Sequence, residues 1–121
     1  MADITPSVIA RRTMAMDFQL DVFLYPDEGG WLAHCLQLDL AEWGETLEAA
    51  QANIFDVIRA HIESAVEDDD LEHLFHPAPP EVWKRFFEGS LSGERLLLVA
   101  PPSGGTFPPV RIREAIARAA A

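Results

Sequence analysis

The stretch Phe18-Gln-Leu-Asp-Val-Phe-Leu-Tyr-Pro-Asp-Glu-Gly-Gly-Trp-Leu-Ala-His-Cys-Leu-Gln-Leu38 decides the fold of this 121-residue chain. Phe18, Leu20, Val22 and Leu24 alternate with Gln19, Asp21, Phe23 and Tyr25, the two-residue period of a strand with one face on a core. A second run, Trp31 to Leu38, sets Leu32, Leu36 and Leu38 on one face and Ala33 and Cys35 on the other. Between them, Pro26-Asp-Glu-Gly-Gly30 holds what a tight reversal needs: a proline that fixes φ, an Asp that bonds its own backbone, and glycines that accept positive φ. Strands joined so closely are antiparallel. Backbone geometry therefore explains the Gly-Gly pair without a bound phosphate, and Asp27 and Glu28 read as solvated turn carboxylates.

Downstream, a short third strand over Leu40 to Trp43 ends at Gly44, and Thr46 is placed to cap a helix with Glu48 near its positive end. Leu47, Ala50, Ile54, Val57, Ile58, His61, Ile62 and Ala65 then recur at three- and four-residue steps, an apolar stripe of about five turns. The acidic run Glu67 to Asp70 stands where a helix end favours cations, so the helix should stop there. A proline-stiffened connector, Leu71 to Pro80, leads to a short helix, Glu81 to Glu88, closed by Gly89. Glu94 to Ala100 reads as a buried strand, Pro101 to Pro109 as a loop, and Val110 to Ala120 as a terminal helix.

These elements predict an α+β domain over residues 17–121, with residues 1–16 as a loose N-terminal arm. The expected sheet is antiparallel, of three to four strands, with one long helix packed on one face. The other face or an edge is left uncovered, and on so small a sheet that predicts a homo-oligomer.

The formal charge of −11 and pI near 4.5 disfavour direct binding to nucleic acid, which attracts clustered Lys and Arg, and favour a basic partner. One cysteine cannot form an internal disulfide, and no Cys/His zinc spacing occurs. No run reaches the ~20 apolar residues of a membrane span, and the first residues lack a signal-peptide pattern. A cytoplasmic protein is expected.

The order Phe23-Leu-Tyr-Pro-Asp-Glu-Gly-Gly-Trp-Leu-Ala-His-Cys-Leu-Gln-Leu38, then Gly44-Glu-Thr-Leu-Glu-Ala-Ala50 and a long amphipathic helix, resembles the N-terminal domain of the HicB-like antitoxins. The shared features are a hairpin with Gly then an aromatic, an Ala-x-Cys on the second strand, a Gly-acidic-Thr turn, and a helix opening on Leu-Glu. The resemblance covers about residues 17–66. It implies a truncated ribonuclease-H-like fold without nuclease activity, a dimer or tetramer, and a small basic ribonuclease toxin as partner. Two departures stand out. No Pro-Gly kink follows Cys35, and the residues after Val66 hold no ribbon-helix-helix or helix-turn-helix pattern. An orphan oligomeric regulator or scaffold without a toxin is the alternative.

Candidate residues for partner contact are Trp31, Trp43, Trp83 and Phe87, as aromatic anchors, and Asp68, Asp69 and Asp70. A second alternative is a metal-dependent nuclease or hydrolase, in which carboxylates must converge on divalent ions; Asp21 and Asp39 are its strand-borne candidates, with Glu45 and Glu48 nearby. The bland reading of Asp21 is the polar face of a half-exposed strand. Glu72-His-Leu-Phe-His76 with His61 imitates a metal cluster but lacks zinc-motif spacing, and solvated or packing histidines are expected. His34 and Cys35, adjacent on a strand, point to opposite faces and cannot form an activated thiol pair. Ser103-Gly-Gly-Thr106 lacks the lysine of a phosphate loop. No catalytic residue, cofactor or metal is expected.

Overall fold

The structure is a computed structural model that describes residues 18–102, 104 and 107–118. The N-terminal arm, the core of the Ser103–Thr106 loop and the last three residues lie outside the described residues. The first strands follow the hydropathy pattern: β1 runs Phe18–Asp27, β2 Gly30–Cys35 and β3 Leu40–Gly44. β1 and β2 pair antiparallel across a turn in which Glu28 and Gly29 both have positive φ. Beyond Cys35 the alternation breaks: Asp39 takes φ +51°, and the turn sends Leu36 and Leu38 into different apolar clusters.

The long helix, α1, spans Leu47–Glu67, and the Thr46 hydroxyl accepts from the Ala49 N–H at 3.0 Å. Its buried stripe is Ala50, Gln51, Ile54, Ile58, Ile62 and Ala65; His61 and Val57 sit to the side of it. That stripe meets Leu20, Val22, Leu24, Ala33 and Cys35, the β1 and β2 residues that share one pleat direction. Gly44 lets the helix dock, because a Cβ there would stand 2.3 Å from the Ala50 nitrogen. A one-turn 3-10 helix, Leu71–His73, precedes α2 at Pro80–Glu88, which has Pro80 in its first turn and Gly89 as its C-cap.

The C-terminal third departs from expectation. β4 runs Ser90–Leu97, beginning before the predicted Glu94, and Val110–Ile116 is a strand, β5, where a helix was expected. The sheet therefore has five strands in the order β3-β2-β1-β5-β4, with β5 parallel to β1 and every other pair antiparallel. Arg, Glu and Ala favour helix locally, but β1 would otherwise lose its second pairing partner. As a strand, β5 points Val110, Ile112 and Glu114 toward α1 and hydrogen-bonds on both sides.

The second sheet face is also partly covered, where a bare face was predicted. Phe86 of α2 packs with Phe23, Leu36, Ala78 and Ala115. The connector is strapped down by two backbone bonds, His76 N–H to the Gln37 carbonyl at 2.9 Å and Ala78 N–H to the Leu36 carbonyl at 2.7 Å. Among the described residues no helix is long and apolar enough to cross a membrane.

Candidate functional site

The C-terminal end of α1, the 3-10 turn and the turn between β2 and β3 enclose an open cleft of about 510 Å³. Its apolar lining includes Leu38, Leu40, Ala65 and Leu74. Its polar lining includes His61, Asp68, Asp70, His73 and His76. The straps at His76 and Ala78 hold the connector against the 36–39 turn and so bring distant segments together here. Three of the four histidines of the chain line this cleft, each exposed as predicted.

Charge and backbone polarity reinforce each other at this end. The last turn of α1 carries no basic residue, so nothing within it offsets the partial negative charge of its terminal carbonyls. The chain folds back after it: Asp68 N–H donates to the Ser64 carbonyl, Asp70 N–H to the Ala65 carbonyl, and Asp69 takes φ +51°. Carboxylates are thus concentrated beside a negative helix terminus. His73 Nδ1–H donates to the Asp70 carboxylate, and His61 Nδ1–H donates to the Val57 carbonyl at 3.0 Å. Asp70, Glu72 and His73 also form the one grouping among the described residues with three metal-capable atoms within 4.8 Å of one another; all are exposed.

The predicted contact residues do not converge on this cleft as a set. Asp68 and Asp70 line it, and Asp69 lies between them on the exposed turn. Trp31 packs half-buried against the core on the α1 side of the sheet. Trp43, on edge strand β3, donates its indole N–H to the Asp27 carbonyl at 2.9 Å and covers Gly30. Trp83 stacks on Phe87 on α2, with ring centroids 6.3 Å apart and Phe87 66% exposed. The tryptophans therefore occupy three separate places.

The acidic groups inside the fold are structural partners. Asp21, 4% exposed, accepts from Arg113 Nε at 2.8 Å and from Gln37 Nε2 at 2.9 Å, so both carboxylate oxygens are engaged. Arg113 in turn lies over the Phe86 ring, 5.2 Å from its centroid. On the α1 side, Glu114, 2% exposed, accepts from Arg95 Nε and Gln51 Nε2, each at 2.8 Å. The alternation in Val110-Arg-Ile-Arg-Glu114 was the signal for both pairs, and the helical reading of that segment hid it. Asp39 bonds His34 rather than Asp21: His34 Nε2–H donates to it at 2.6 Å, leaving His34 Nδ1 buried without a partner.

Cys35 is buried on the α1 face, and burial pushes its thiol up to about 12, while backbone hydrogen bonds from Leu38 and Gln37 act in the opposite direction. A thiol held protonated is no nucleophile at neutral pH. Arg85 covers the opposite face, its guanidinium 4.6 Å from the Tyr25 ring centroid. Burial raises the Tyr25 hydroxyl above its ordinary value, and the Arg85 charge opposes that rise.

An apolar floor with a carboxylate rim has the chemistry to take the side chain of Lys or Arg. Its methylene stem can lie on Leu38, Leu40, Ala65 and Leu74 while its charged head meets Asp68 and Asp70. No protein-family model, curated protein or solved structure matches this chain.

Proposed function

We propose that this chain is a non-catalytic binding protein of the HicB-like antitoxin type, which neutralises a small basic ribonuclease by capturing it on its acidic side. The observation that carries the reading is the cleft at the C-terminal end of α1, where Asp68 and Asp70 rim an apolar floor. The chain's net charge of −11 would steer a basic protein toward it and speed encounter. The three-stranded meander followed by one long helix supports the HicB-like part of the reading. The strand β5, parallel to β1 and set between it and β4, is a feature that the truncated ribonuclease-H-like expectation did not contain. Engagement of both Asp21 oxygens by Arg113 and Gln37 argues for binding over metal-dependent hydrolysis.

The test is recovery of partners by the tagged chain from its native cells at low and high salt, beside an Asp68→Asn/Asp70→Asn variant. One small basic protein should come with the wild type, weaken at high salt, and bind the variant about tenfold less. Recovery of the chain alone would move the reading to an orphan oligomeric regulator. Equal capture by the variant would remove the cleft from it.

A further inference from the structure

We infer that the histidines on the cleft make its hold on a basic guest depend on pH: neutral, they leave Asp68 and Asp70 to bind the guest, and protonated, they release it. This regulation rests on the reading proposed above, the cleft as a site for basic side chains. The lining holds two carboxylates, Asp68 and Asp70, and three histidines, His61, His73 and His76, with neither Lys nor Arg among them. Its formal charge therefore runs from −2 with the histidines neutral to +1 with all three protonated. Histidine is the side chain whose charge ordinarily changes between about pH 5 and 8, while carboxylates ordinarily stay ionised there. The sign of the cleft is thus set by its histidines.

Each element around the cleft supplies part of this balance. α1 contributes His61 and Asp68, and no basic residue in its last turn dilutes the change. The 3-10 turn contributes Asp70 and His73, with Glu72 beside them, and the connector contributes His76. The segment from β2 to β3 lines the cleft with Leu38 and Leu40, and its Asp39 is bonded to His34. His61 and His73 each commit Nδ1–H to a hydrogen bond, with the Val57 carbonyl and the Asp70 carboxylate, so Nε2 is the nitrogen that takes the second proton. A proton on His73 turns its bond to Asp70 into an ion pair and occupies the carboxylate that a guest needs. A proton on His61 or His76 sets a like charge beside the guest's head. All three imidazoles are exposed and exchange protons with solvent without any opening of the fold.

The test titrates the full, untagged chain with acetylated hexa-arginine amide, a peptide whose own charge is constant over the range, by calorimetry at about pH 7.5 and about pH 5.5 with EDTA present. Wild type should bind about tenfold more weakly at the lower pH, with unchanged circular dichroism. His61→Gln/His73→Gln/His76→Gln should bind within about twofold at the two pH values. Equal wild-type binding at both overturns the inference. A triple variant that keeps the full drop overturns it too, since the titrating group would then lie elsewhere, as at His34 beside Asp39. Failure of the underlying reading has a different signature: at about pH 7.5 Asp68→Asn/Asp70→Asn binds as tightly as wild type, or wild type does not bind, and the pH dependence assigned to the cleft falls with it.

Discussion

Replacing Asp21 by alanine separates a structural carboxylate from a catalytic one. Asp21 accepts two hydrogen bonds, from Arg113 and Gln37, and its backbone N–H donates to Gln37 Oε1 at 2.8 Å. A hydrogen bond to a charged group contributes about 1.5–3 kcal/mol, and two that share one acceptor do not sum. The Arg113 side chain is one-third exposed and regains some water when its partner leaves. The expected loss is therefore about 3 kcal/mol, a large share of the roughly 5–15 kcal/mol of a domain this size. Arg113→Met should cost as much or more, about 3–5 kcal/mol, since it strands a carboxylate whose side chain is 6% exposed. Asp21→Leu with Arg113→Met should cost less than either single change, because it removes both charges. Urea denaturation followed by circular dichroism measures all three. A carboxylate poised for metal or substrate predicts the reverse, a variant as stable as wild type or more so. Unchanged or raised stability in Asp21→Ala would refute the structural assignment and revive the hydrolase reading.

Two further outcomes follow from particular contacts. Cys35 should resist thiol reagents at pH 8 in the native state and react on unfolding. Because its folded-state pKa is raised from 9.0 to about 12, the folded state holds its proton longer than the unfolded chain. The thiol thus contributes stability below pH 9 that is lost as pH rises toward 12, a decline that Cys35→Ala should make shallower in alkaline denaturant titrations. Gly44→Ala should destabilise by more than about 2 kcal/mol or prevent folding, since its Cβ would meet the backbone of Ala49 and Ala50 at 2.3–2.8 Å. A thermal melt within about 2 °C of wild type would contradict that close approach.

Period and punctuation were sufficient for the N-terminal half. Alternation over Phe18 to Tyr25, the Pro-Asp-Glu-Gly-Gly turn, the Thr46 cap and the three-to-four spacing from Leu47 to Ala65 are local signals, and local physics answered them. The aspartates at the end of α1 were legible as a charge run, but their place on a cleft was not. That place depends on the His76 and Ala78 straps to a turn some forty residues earlier. Val110 to Ile116 shows the limit most clearly. Its composition suits a helix, and its alternating pattern suits a strand. The open side of β1 decided between them, because a buried strand must satisfy its backbone N–H and C=O groups on both sides, and this segment supplies the missing partner. The sequence by itself determined the hairpin, the long helix and the acidic balance. The tertiary structure decided the parallel strand, the paired buried carboxylates and the exposed edge, because each depends on which distant segment fills an unmet hydrogen-bonding or apolar face.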